Sequence, residues 1–131
     1  MDDLAEKVAR MASFARAHAE RHPGAPVYGM GYSNGANILA AVMLAHPDIF
    51  DRAALLHPLI PWTPAPAPGL AGRRVLITAG RRDPICPFAL TERLVAFLKA
   101  QQVSTHTLFH DGGHEVRGEE TQTLASFLAA L

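Results

Sequence analysis

Three residues of this chain, Ser33, Asp83 and His114, have the types and the order that activated-serine chemistry requires. A serine hydroxyl is a weak nucleophile at neutral pH. It needs an imidazole to take its proton and a carboxylate to orient and stabilise that imidazole. Ser33 stands at the centre of Gly31-Tyr32-Ser33-Asn34-Gly35, between the apolar run Val27-Tyr28-Gly29-Met30 and a stretch of helix formers, Ala36 to Ala45. Gly-x-Ser-x-Gly between a strand and a helix is the sharp turn that lifts a serine hydroxyl clear of the backbone. Both glycines are expected to be needed, because the strained serine presses neighbouring backbone so close that a Cβ would clash. In chains that use this turn the acid follows the serine and the histidine follows the acid. Asp83, in Arg81-Arg82-Asp83-Pro84, and His114, in Asp111-Gly112-Gly113-His114, each come just after a predicted strand. Functional groups of open parallel sheets gather at those carboxyl ends.

Each residue also has a plainer reading. Ser33 as a small turn residue leaves the flanking glycines unexplained. An aspartate before proline is an ordinary turn residue. Asp111 and Glu115 compete for the acid role because they lie beside His114, although the orienting acid is expected from a separate loop. His114, between Gly-Gly and a helix start, also reads as a simple loop histidine. The other six histidines lie in helices, in strands or beside prolines, and of these His57, which follows a predicted strand end, is kept as a candidate to face a substrate pocket.

The elements that must position these groups are legible from periodicity. Asp3 and Glu6 resemble a capping box, and Leu4, Val8, Met11, Ala15 and Ala19 recur at helical spacing up to Arg21-His22, where Pro23-Gly24 ends the helix. Val27 to Tyr32 reads as a short buried strand. Ile38, Leu39, Val42 and Met43 form the buried stripe of a second helix that ends before Pro47. Ala53 to Leu56 is an apolar strand halted by His57-Pro58. Residues 58 to 72 hold five prolines and read as a stiff loop. Val75-Leu76-Ile77-Thr78 is a β-branched strand, and Leu90, Leu94, Phe97 and Leu98 mark a third helix. Thr105 to Phe109 is a fourth strand, and Leu124, Phe127, Leu128 and Leu131 mark a closing helix. Strands alternating with helices predict an α/β fold, three layers in the order α/β/α, with a mostly parallel sheet.

Composition narrows the function classes. A chain of 131 residues reads as one domain over residues 1–131 and buries roughly two-thirds of its unfolded surface. Twelve basic and twelve acidic residues cancel, which argues against nucleic acid or an anionic membrane surface as partner. The single cysteine, Cys86, excludes a disulfide framework and a zinc ribbon. No apolar stretch approaches the ~20 residues of a membrane span. The start carries no basic-then-apolar leader pattern, and a cytoplasmic location is expected. No cofactor is called for, and the histidines show no metal-ligand spacing.

Four ordered blocks carry a family resemblance: Gly31-Tyr32-Ser33-Asn34-Gly35-Ala36-Asn37, Leu55-Leu56-His57-Pro58, Thr78-Ala79-Gly80-Arg81-Arg82-Asp83-Pro84-Ile85-Cys86-Pro87 and Gly112-Gly113-His114-Glu115. Together they resemble the carboxylesterase/phospholipase branch of the α/β-hydrolases, the group with acyl-protein thioesterases and dienelactone-hydrolase-like esterases. The resemblance implies Ser33 as nucleophile, Asp83 as acid and His114 as base in cleavage of a carboxylic ester or thioester. It implies the backbone N–H of Asn34 as one oxyanion donor. Dienelactone hydrolases carry a cysteine on the elbow, whereas here Cys86 lies on the acid loop and reads as a pocket or core residue. Leu59, Ile60, Trp62 and Phe88 are candidates for an apolar substrate pocket, with ordinary loop packing as the equal alternative.

Family members carry further strands ahead of the elbow, and the second oxyanion donor comes from a loop there. With its elbow at residue 31 the chain is expected to be the carboxyl-terminal part of such a fold, with strand 27–32 as an apolar edge open to pairing in a homodimer. The competing function class is a truncated or pseudo-hydrolase acting as a non-catalytic binding or assembly module.

Overall fold

The computed structural model describes residues 2–60 and 64–129. The side chains of Asp2 and Asp3 lie outside that description, as do Pro61, Trp62, Thr63 and Leu131, so the predicted capping box, the Trp62 pocket wall and the last apolar residue of the closing helix fall there too. The elements run α1 (Asp2–Arg21), β1 (Tyr28–Tyr32), α2 (Asn34–Ala45), β2 (Arg52–Leu56), β3 (Arg74–Gly80), α3 (Phe88–Ala100), β4 (Ser104–His110) and α4 (Gly118–Ala129). The order agrees with the periodicity. The Pro-rich segment is loop apart from one 3-10 turn, Pro68–Leu70. β3 and β4 are each longer than their β-branched cores, because pairing with a neighbour extends a strand beyond its strongest formers.

The four strands pair in parallel in the order β1-β2-β3-β4, with Tyr28 opposite Arg52, Arg52 opposite Arg74 and Arg74 opposite Ser104. Each step moves one place in the same direction across the sheet. Right-handed crossovers therefore put every connection on one face. Strand alternation separates the two sides. Ala53, Leu55, Val75 and Ile77 meet α1, α2 and α3 in the larger core, with Ala12, Leu39, Val42, Leu94 and Leu98. Ala54, Leu56 and Leu76 face the other way and meet Leu124 and Phe127 of α4. β2 is buried on both faces and along both edges, which is why it reads from Ala53 to Leu56 as an apolar run.

Arg52 is the one long cation on that central strand. Its guanidinium leaves the sheet to donate to the carbonyls of Phe127 (2.7 Å) and Leu128 (3.2 Å), satisfying the open carbonyls of the last turn of α4. β1 stands at the sheet edge, with Tyr28, Met30 and Tyr32 on its exposed face. No helix among the described residues is long and apolar enough to cross a membrane.

Candidate active site

The elbow forms where β1 meets α2. Ser33 is held at φ 55°, ψ −115°, a backbone region that non-glycine residues occupy only under constraint. Its N–H donates to the Leu56 carbonyl at 2.9 Å and its own carbonyl accepts the Asn37 N–H at 3.0 Å. Asn37 in turn accepts the Leu59 N–H on Oδ1 at 2.6 Å, tying the first turn of α2 to the loop after β2. The two glycines differ in what they do. A Cβ on Gly31 would lie 2.6 Å from the carbonyl carbon and oxygen of Gly35 and 2.8 Å from the Ala36 nitrogen, all backbone. A Cβ on Gly35 would meet nothing within 4 Å. The expectation that crowding demands both glycines is thus corrected: only Gly31 is required by close approach.

Beyond the elbow an unbroken chain of hydrogen-bonding contacts runs through three loops. His114 Nε2 lies 2.8 Å from Ser33 Oγ, and His114 Nδ1 lies 2.6 Å from Asp83 Oδ2. The other carboxylate oxygen, Oδ1, accepts the N–H groups of Ile85 (2.8 Å) and Cys86 (2.9 Å). The carboxylate that faces His114 therefore comes from the loop after β3, and the two acidic residues beside His114 in sequence are paired elsewhere. Asp111 pairs with Arg81 at 3.1 Å, and Glu115 pairs with Arg117 at 3.2 Å and accepts the Gly113 N–H at 3.1 Å.

The acid and histidine loops touch because Gly80 lets them. A Cβ there would stand 2.1 Å from the Gly113 carbonyl oxygen and 2.5 Å from that of Gly112. Arg82 N–H donates to the Gly112 carbonyl at 3.0 Å across the same seam. Tyr32, one residue before the serine, donates its hydroxyl to the His114 carbonyl at 2.5 Å and so sets the height of the histidine over the elbow.

Electrostatics suit an orienting acid. Burial opposes ionisation of Asp83, but the Cys86 N–H, the His114 ring, the Ile85 N–H and the His57 ring together outweigh it and hold the carboxyl at about 2. A depressed carboxylate stabilises the fold above its unfolded value of 3.8, and that contribution is lost as pH falls through about 2. With the side chain 1% exposed, urea unfolding between about pH 4 and pH 2 should show a stability loss of about 2 kcal/mol. Asp83→Asn should lack that part of the acid slope, and an identical slope in the variant would refute the assignment.

The other site residues are placed as follows. Asn34 opens α2, and as the first helical residue its N–H has no intrahelical acceptor and points to the positive end of the helix. Leu59 is half-buried, and Phe88 is half-buried with its ring edge-on to Phe109. Two pocket expectations are corrected. Ile60 is 5% exposed and belongs to the core beneath the elbow helix, because the loop after β2 turns inward there. His57 is 0% exposed and lies behind the acid, with Nδ1 3.2 Å from Asp83 Oδ2.

Sequence reasoning missed Glu120, which is 0% exposed and lies 3.0 Å from His57 Nε2. An acidic residue in the first turn of a helix ordinarily reads as a solvated partner of the helix dipole. Only Thr78, the one hydroxyl in the buried run Val75 to Gly80 of β3, hinted at a buried polar partner. Among the described residues two groups bring metal-type donor atoms within 4.8 Å of one another, His57/His110/Glu120 and His57/Asp83/His114. In both groups the carboxylate oxygens already receive hydrogen bonds from the protein.

The chain is similar to proteins of known sequence and structure over nearly its whole length. It is 34% identical over 122 residues to a putative hydrolase, MhqD, of Bacillus subtilis (strain 168), covering 92% of this chain and 61% of that protein. The crystal structure of the protein Atu2452 of unknown function from Agrobacterium tumefaciens str. C58 superposes with a TM-score of 0.89 at 49% identity, covering 99% of this chain and 64% of that one. A carboxylesterase from Mesorhizobium loti superposes with a TM-score of 0.84 at 32% identity, covering 98% and 62%. The chain thus spans about three-fifths of the length of these relatives. No protein-family model matches it.

Proposed function

Because this chain belongs to the α/β-hydrolases of the carboxylesterase/phospholipase type, we propose that it is a serine hydrolase that cleaves carboxylic ester or thioester bonds through an acyl-enzyme on Ser33. The observation that supports this most is the continuous contact from Ser33 Oγ through both nitrogens of His114 to Asp83 Oδ2. His114 accepts the hydroxyl proton at Nε2 as Ser33 attacks the acyl carbon. The same proton then passes to the departing alkoxide or thiolate as the carbonyl re-forms. Water repeats the sequence on the acyl-enzyme, giving the carboxylic acid and free Ser33. Asp83 holds the Nδ1–H tautomer throughout and stabilises the imidazolium while it lasts. The Asn34 N–H, at the head of α2, faces the developing oxyanion.

Cys86 is the competing nucleophile by residue type alone. Burial, with the nearby Asp83 charge adding to it, pushes its thiol up to about 11, and its S–H donates to the His57 carbonyl at 3.4 Å. An inert thiol follows. The test is chemical labelling of the folded chain at pH 8 with a fluorophosphonate probe and with iodoacetamide. One equivalent of phosphonate on Ser33 with Cys86 unalkylated is expected. Folded protein that takes no phosphonate would favour the non-catalytic binding module instead.

A further inference from the structure

The hydroxyl of Tyr32 holds a place in the site that the proposed hydrolysis leaves unused. Successive strand residues point to opposite faces. Gly31 therefore turns to α2, where a side chain would strike the backbone of Gly35. Tyr32, in register with Leu56, turns to the face that carries α4. The loop that bears His114 leads from β4 into α4 and crosses that same face. The Tyr32 and His114 rings meet there with centroids 5.1 Å apart, and the hydroxyl donates to the His114 carbonyl at 2.5 Å. A phenol keeps its proton at neutral pH and a carbonyl only accepts, so this bond has one direction.

The rest of the loop is held from the far side. Arg82 N–H donates to the Gly112 carbonyl at 3.0 Å, and Gly112 N–H donates to His110 Nδ1 at 3.0 Å. Glu115 accepts the Gly113 N–H at 3.1 Å, and its own carbonyl lies 3.3 Å from His110 Nε2. Together with Asp83 these contacts fix His114 relative to β3 and β4, and none of them reaches the elbow. Among the described residues only Tyr32 and Ser33 carry hydrogen bonds from β1 and the elbow to this loop.

Tyr32 and Ser33 share a peptide bond, so their two contacts with His114 close a ring. The serine side chain alone cannot set the spacing across that ring, because its hydroxyl moves among three staggered positions. The phenol can, being packed against the imidazole and tied to the carbonyl of the same residue. Tyr28 supplies an internal comparison. It stands on the same face of the same strand with similar exposure, 40% against 43%. It lies at the opposite end of β1, however, where its ring meets the Arg52 guanidinium at 5.1 Å. Exposure on an edge strand is common to both tyrosines, and the bond to His114 belongs to Tyr32.

We propose that Tyr32 is a positioning residue whose hydroxyl, by holding the His114 carbonyl, sets the separation of His114 Nε2 from Ser33 Oγ and thereby the rate at which the serine reacts. The effect on rate rests on the reading of Ser33 as nucleophile and His114 as base. The bond from Tyr32 to His114 does not.

Fluorophosphonate labelling of the full chain at rising probe concentration separates the limiting rate from the half-saturating concentration. Tyr32→Phe keeps the ring and removes only the hydroxyl. Its limiting rate should fall about ten- to a hundredfold, since a misplacement of about 1 Å costs on the order of 100-fold. Its half-saturating concentration should stay within about twofold, because the loss falls on the reacting step and not on binding. Tyr28→Phe should leave both quantities unchanged, and Tyr32→Leu should slow labelling little beyond Tyr32→Phe. A limiting rate in Tyr32→Phe equal to the parent's overturns the proposal. An effect confined to the half-saturating concentration also sinks it, by making Tyr32 a binding residue. Carbon-13 NMR with the His114 carbonyl labelled reads the bond itself. That signal should move upfield in Tyr32→Phe and stay in place in Tyr28→Phe, and an unmoved signal in Tyr32→Phe means that the bond is absent. Should Ser33 of the parent take no probe while the carbonyl signal moves, the hydrolase reading fails, and with it the role in rate, while the bond stands.

Discussion

Ser33→Ala is expected to abolish capture of fluorophosphonate and to lower kcat/KM for a short-chain aryl ester by about 10⁴- to 10⁶-fold. The size of the loss follows from what remains. His114 would still lie against Asp83, but with no hydroxyl at Nε2 it could only activate water, without a covalent intermediate. Cys86 cannot substitute, being 3% exposed with its thiol pushed up to about 11. The fold should be indifferent to the change, because Ser33 contributes its backbone to the elbow through Leu56 and Asn37 and its side chain is tied only to His114. Kinetics and far-UV circular dichroism on the same preparation check both halves. Residual turnover within tenfold of the parent would mean that some other group carries the reaction. The labelling arm keeps the test decisive even where turnover is low. Removal of one oxyanion donor costs about 10²- to 10³-fold in rate, whereas single-turnover capture needs little more than the serine and its base.

Gly31→Ala should be the most damaging single methyl in the elbow, and Gly35→Ala its harmless control. At position 31 the new Cβ would sit 2.6 Å from the backbone of Gly35, and neither β1 nor α2 can give way without moving Ser33 between them. Overpacking of this kind costs about 1 to 3 kcal/mol, read as a drop of several degrees in Tm. A displacement of the serine by about 1 Å costs on the order of 100-fold in rate, so labelling should slow by at least that much. At position 35 a Cβ meets open space and replaces glycine by a better helix former in the first turn of α2, which stabilises by at most about 1 kcal/mol. Equal tolerance at both positions, measured by thermal melts and labelling rates, would remove the physical basis of the elbow as described.

The residue patterns disclosed the elements more faithfully than their environments. Helical spacing from Leu4 to Ala19 and the β-branched run at Val75 to Thr78 forecast α1 and β3, and the alternation of strands and helices forecast a parallel sheet, as found. Those signals are short-ranged: a buried stripe or a run of β-branched residues is dictated within one turn or one strand. Burial of a loop side chain is not. Leu59 and Ile60 are adjacent and alike, yet Leu59 is half-buried and Ile60 lies in the core, because only the path of the loop after β2 decides between them. His57 looked like a pocket histidine because it follows a strand end, and it follows one in fact. It lies behind the acid because β2 is central, so the space beyond its end is covered by the loops of β3 and β4.

By itself the sequence determined the strained turn at Ser33, the succession of strands that brings Asp83 and His114 after it, and the three-layer architecture, since glycine placement and hydrophobic period are local and chemical. Tertiary structure alone decided that Gly31 and not Gly35 is sterically required and that Gly80 admits the histidine loop against the acid loop. It also decided that Glu120 turns inward to meet His57 in place of solvent. Those outcomes depend on distances between segments remote in the chain, down to 2.1 Å at Gly80. No local pattern encodes such a distance until the sheet has set its register.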